Sequence, residues 1–178
     1  MKRFAMIAGP LVGAAVLVGA VNFVTLQQPL NAAVDGDSRN EGIEARAHYA
    51  YYVQPNVVVF DLRAIDGEKS PMDVMRAFLQ FADAMKGREY ARIVLAHRGR
   101  PKFQIEGRYF KQLGEEYEQQ NPLYTLRTLP ENLYKPDGTQ AFGTWSGGVL
   151  GVLKEQVEDF GEFHRQWYIQ DLTARDPG

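Results

Sequence analysis

Hydrophobic positions along this chain fall into blocks of different period, and each period predicts an element. From Phe4 to Leu26 the run is apolar, with Asn22 and Thr25 its clearly polar members. As a helix it would be roughly 34 Å long at about 1.5 Å per residue, enough to cross a hydrocarbon core of about 30 Å. Val57-Val58-Val59-Phe60-Asp61-Leu62 is short, continuous and β-branched, the pattern of a strand buried on both faces, and the apolar run Ile93-Val94-Leu95-Ala96 supplies a second strand over 92–97. Between them Met72, Met75, Phe78, Leu79, Ala82 and Met85 recur at helical steps. Ser70 is placed to cap that helix, Pro71 to take its first position, Asp73 to complete a capping box and Gly87 to end it. A right-handed crossover between two parallel strands is the topology these signals predict.

The remaining blocks extend this unit. Tyr49 to Val53 reads as an edge strand or an approach to the core. Lys102 to Glu106 alternates, which predicts a strand in a hairpin with the second apolar run, across the turn Arg98–Pro101. A helix is expected over 108–120, with Phe110, Leu113 and Tyr117 inward and Asn121-Pro122 as its stop, then a short strand over 124–129 and a loop over 130–144. The last element is a long amphipathic helix over 146–172. Leu150, Leu153, Val157, Phe160, His164 and Trp167 alternate in steps of three and four, and Val149, Val152, Phe163 and Tyr168 widen the stripe. A stripe that wide covers a sheet, joins a partner helix, or does both; Leu150, Leu153, Val157, Phe160 and Trp167 are the candidate partner-helix face.

The fold class expected is therefore α/β: a small mixed sheet built on a β-α-β unit, a long C-terminal amphipathic helix, and an N-terminal membrane anchor or signal helix. At 178 residues the chain suits one domain with a non-globular end. The expected division is 1–26 as signal-anchor or signal peptide, 27–47 as a polar linker and 48–178 as a single α/β domain. Val18-Gly19-Ala20 offers a cleavage site, while the apolar character that continues through Leu26 favours an uncleaved anchor. Lys2 and Arg3 should stay on the inner side, which predicts a single pass through a bacterial inner membrane with the C-terminal domain in the periplasm. Release into the periplasm after cleavage is the alternative.

Charge narrows the function classes. Lys2 and Arg3 are the only charged residues before Asp35, so the rest carries 18 basic and 22 acidic residues, unlike a general nucleic-acid binder. Without cysteine there is no disulfide, thiolate metal site or cysteine nucleophile. His48, His97 and His164 belong to no paired-ligand motif, so no metal and no cofactor is expected. The strongest charge feature is Arg98, Arg100, Lys102, Arg108 and Lys111, a candidate site for an anion or an acidic partner. Acidic residues dominate the chain after Trp145, and this polarity is met either within the domain or across a homodimer.

Asp61 and His97 each lie near the C-terminal end of an expected parallel strand, where open α/β sheets place ligands. As neighbours they would pair a proton carrier, His97, with an orienting Asp61, and Arg98 would stand beside them. No third member is evident, and Arg63 stands where a phosphoryl-transfer aspartate motif has its second acid. The glycine-rich segment 142–151 lacks the lysine and hydroxyl of a phosphate loop. The function these features favour is a non-enzymatic, membrane-tethered interaction domain, an accessory subunit of a membrane assembly with a protein partner or a second copy. A small-ligand, anion-binding or hydrolase-like site at Asp61, His97 and Arg98 is the alternative.

Overall fold

The computed structural model describes residues 2–117, 119 and 127–174. Helix α1 (Lys2–Asn22) continues through a π-helical turn (Phe23–Gln27) into α2 (Gln28–Asp35). The sheet strands are β1 (Ile43–Ala50), β2 (Gln54–Ile65), β3 (Arg92–His97) and β4 (Arg100–Glu106). Helix α3 (Pro71–Met85) joins β2 to β3, and α4 (Gly107–Glu116) follows β4. Helix α5 (Val149–His164) passes through a second π-helical turn (Arg165–Ile169) into α6 (Gln170–Thr173). The four strands lie in sequence order, with β2 and β3 parallel and the two outer pairs antiparallel.

The β-α-β unit forms as its sequence predicts, and for the reasons its sequence gives. Ser70 accepts from the Asp73 amide while Asp73 reaches back to Ser70, so the first turn of α3 is capped from both sides. Met75, Phe78, Ala82 and Met85 are buried, while Met72 is exposed. Phe60 of β2 meets Phe78 and Phe81 of α3 and Trp167 of the C-terminal helix at ring distances of 5.2–6.1 Å. The two sheet faces are covered unequally: on the face away from α3, Val57, Asp61 and Ala96 are buried while Val59, expected within a strand buried on both faces, and Val94 are half-buried. The expected strand at 124–129 falls largely outside the described residues; Arg127 and Thr128 are helical.

Helices α3 and α4 touch through their backbones. A Cβ on Gly114 would sit 2.3 Å from the Ala82 carbonyl oxygen. Gly114→Ala is therefore expected to lower stability by about 1–3 kcal/mol through overpacking. Gly161→Ala, in α5 with open space around it, should be neutral or stabilising by up to about 1 kcal/mol. Urea unfolding of both variants checks this pair of outcomes.

Residues 27–47, expected as a polar linker, are instead helix α2 and the first part of β1. Asn22, Leu26, Leu30 and Val34 recur at steps of four and face the domain, where all four are buried. Steps of four overrun a 3.6-residue turn, and the π-helical turn takes up the overrun. Pro29 explains why the irregularity falls here. It has no N–H to give the Thr25 carbonyl, and Arg88, beyond the end of α3, donates to that oxygen at 2.8 Å. The segment that looked like a tether is a core element.

Candidate functional site

Two side-chain amides bind the N-terminal helix to the free edge of β1. Gln27 accepts from the Ala47 N–H at 2.9 Å and donates to the Ala45 carbonyl at 3.3 Å. Asn22 accepts from the Tyr49 N–H at 2.7 Å and donates to the Tyr52 carbonyl at 2.8 Å. Each amide presents one donor and one acceptor, as a neighbouring strand does, so part of this edge is closed to another strand. On the described stretch of the helix before Asn22, Val12, Val16, Leu17 and Val21 are exposed. Among the described residues one helix, within Val12–Asp35, is long and apolar enough to cross a membrane. It is compatible with a single-pass anchor or a signal sequence.

At the other end of the sheet, Asp61 and His97 are not brought together. Asp61 pairs with Ala96 and Leu62 with His97 in the β2–β3 register, so the two side chains lie on opposite faces. Asp61 is buried and fully engaged: it accepts from the Gly99 N–H at 2.9 Å and binds Arg63 at 2.8 Å. It thereby fixes the β3–β4 turn, where Arg98 and Gly99 both take positive φ. His97 is buried on the helix-covered face, where its Nδ1–H donates to Asp171 at 2.9 Å. Lys102 meets the same carboxylate at 2.9 Å. Burial lowers the His97 pKa against the opposing pull of Asp171, which favours the neutral ring, and Nε2 has no hydrogen-bond partner. The same hydrogen bond from His97, with that from Lys102, holds the Asp171 carboxyl below its ordinary value. Trp167 adds a bond from its indole N–H to the Ala96 carbonyl at 3.0 Å. In this geometry His97, Lys102 and Trp167 latch the C-terminal helix onto the sheet.

The five basic residues do not share one surface. Arg100 pairs with His97 and Glu106 with Arg92, so Arg98, Arg100 and Lys102 stand at one end of β4 and Arg108 and Lys111 beyond the other. At about 3.3 Å per residue the two groups are roughly 20 Å apart. Arg108 pairs with Glu106, Lys111 with Glu89, and Lys102 is taken by Asp171. Arg98 donates to the Arg63 carbonyl, which leaves Arg100 exposed at the turn. Among the described residues no group of three His, Asp or Glu is placed to hold a metal ion.

Two further apolar surfaces stand out among the described residues. The open sheet face carries a groove of about 480 Å³ with Val57, Val59, Val94 and Ala96 as its floor and Tyr52 and Pro101 at its sides. Periodicity missed it, because a continuous apolar strand looks the same with one face covered or two. The second surface is the start of α5. Of the candidate partner-helix face, Phe160 and Trp167 are buried in the core, whereas Leu150 is 83% exposed, Val157 55% and Leu153 37%. The stripe therefore divides: its C-terminal half packs on the sheet and its N-terminal half is bare. Gln156, held by Arg127 and Glu131, lies at the boundary. Trp145 anchors the preceding glycine-rich segment by donating to Asp159 at 2.7 Å. Compared with known proteins, the chain matches no family model, no curated protein and no solved structure.

Proposed function

We propose that this chain is a non-enzymatic interaction subunit, held by a single uncleaved N-terminal helix in a bacterial inner membrane with its domain on the periplasmic side. The observation that carries the reading is the bare stripe Leu150, Leu153 and Val157, which continues the line of the buried Phe160 and Trp167 on one helix. An apolar face of that spacing suits the groove or helix of a protein partner. The sidedness rests on Lys2 and Arg3 at the inner end of the apolar run. The anchoring rests on the exposed Val12, Val16, Leu17 and Val21 of α1 and on the Asn22 and Gln27 bonds that join the helix to the domain.

The double variant Leu150→Glu with Val157→Glu is expected to abolish retention of the partner in a pull-down from native membranes. Both positions are exposed, so stability should change by no more than about 0.5 kcal/mol. Retention at the level of the parent chain contradicts this placement and shifts the reading to the open sheet face. There the apolar groove favours a second function, the binding of a small ligand or a short extended peptide.

A further inference from the structure

We infer that the β1–β2 turn, Tyr51-Tyr52-Val53, is a membrane-interface foot that seats in the bilayer its own anchor helix spans. The inference rests on the anchor reading above and adds a second, independent contact with lipid. Asn22 fixes the geometry, because its amide joins α1 to Tyr49 and Tyr52. The helix runs antiparallel to β1, with Gln27 beside Ala45 and Ala47 and Asn22 beside Tyr49, so it leaves the domain alongside this turn. The ends of β2 and β3 that carry Asp61 and His97 point the opposite way.

Helix length places the turn in depth. Phe4 to Val21 covers about 27 Å at about 1.5 Å per residue, short of a hydrocarbon core of about 30 Å. The next exposed apolar residues are Phe23 and Val24. Completing the span with them puts Asn22, and the turn tied to it, at the boundary between hydrocarbon and headgroups. The turn has the side chains for that layer. Tyr51 is 86% exposed, Val53 68% and Tyr52 55%, and tyrosine is enriched at membrane–water interfaces.

The backbone gives a separate reason. Tyr51 and Tyr52 have φ of 51° and 64°, the left-handed region in which a hairpin turn ordinarily uses Gly or Asn. Two bulky rings there cost stability, and nothing in the domain core receives Tyr51. Tyr52 stacks on His48 with ring centroids 4.5 Å apart, which holds its ring in place beside the tip.

The absence of cysteine allows a direct test in the full-length chain. Single cysteines at Val16, Tyr51, Val53 and Glu68 would carry a nitroxide, with one chain per nanodisc of phosphatidylethanolamine and phosphatidylglycerol. Oxygen and a water-soluble nickel chelate then report depth. Labels at 51 and 53 are expected to be several-fold less accessible to nickel than the label at 68, which lies in the exposed β2–α3 loop. Using two tip positions guards against a local change in the turn. If 16 lies in lipid but 51 or 53 is as wet as 68, the foot is overturned and the anchor stands. If 16 is also wet, the anchor reading falls, and the inference with it.

Discussion

A chain that begins at Asp35 is expected not to fold, although the polar residues around that position invite a truncation there. The cut removes Leu26, Leu30 and Val34, all buried in the one core. Fully burying such side chains stabilises by about 1.5–3 kcal/mol each, so roughly 5–9 kcal/mol is at stake. Domains of this size have about 5–15 kcal/mol in all. The cut also strips the Gln27 and Asn22 amides from the β1 edge and leaves the N–H groups of Ala47 and Tyr49 without those partners. A chain beginning at Val21 keeps each of these contacts and should fold. Circular dichroism and gel filtration of the two chains distinguish them. A monodisperse, cooperatively unfolding 35–178 fragment would contradict the assignment of α2 to the core.

The second large effect is loss of stability in mild acid. His164 is buried among Phe160, Phe163, Trp167 and Tyr168, neither ring nitrogen has a partner, and burial holds its pKa at about 3. His97 is shifted in the same direction, with burial again the main cause. Both pKa values lie below the ordinary histidine value of about 6.5, so beneath that pH the unfolded chain binds more protons than the folded one. The stabilisation is complete above about pH 7 and is lost progressively as pH falls through 6 and 5, continuing towards 3 for His164. For His164 alone the loss at pH 5 is about 2 kcal/mol. The carboxylate of Asp73, held down to about 2 chiefly by its bonds to Ser70, loses its contribution only below its ordinary range near 3.8, outside this window. Urea midpoints between pH 7.5 and 5 should therefore fall steadily. His164→Phe, which removes the unpaired nitrogens, should raise the midpoint and flatten most of the slope. A midpoint independent of pH over this range would contradict the burial of both rings in uncharged form.

Much of the fold could be read from residues whose signals agree locally. Ser70, Pro71 and Asp73 define a helix start without reference to the rest of the chain, and the β-branched runs on either side define the strands it joins. The N-terminal half of the domain was harder to read, because its core contribution is spread thinly. Leu26, Leu30 and Val34 are spaced for one helix face, but Gln27, Gln28 and Asn31 between them and Asp35 after them give the segment a linker's composition. Their spacing of four, with Pro29 to explain the irregular turn, was the available signal. Side-chain sites depend on register, which a single strand does not carry. Asp61 and His97 are one register position out of step and so face opposite ways. The basic residues from Arg98 to Lys111 are close in sequence, yet β4 carries them to opposite ends of the sheet. Along α5 the stripe is continuous in sequence, and only the tertiary packing shows that it is covered from Phe160 onward and bare at Leu150.

Photo-cross-linking from that bare stripe tests the central claim most directly. A photoreactive residue at Leu150 or Val157 of the full-length chain, irradiated in native membranes, should give one discrete adduct. An adduct of twice the 20.1 kDa chain mass identifies a second copy, and any other mass a different protein. The same residue at Glu158, exposed on α5 and about 80–140° around the helix from the stripe residues, should give none. Adducts absent from both stripe positions, or equally strong from Glu158, would contradict the account of this chain as a subunit docked through α5.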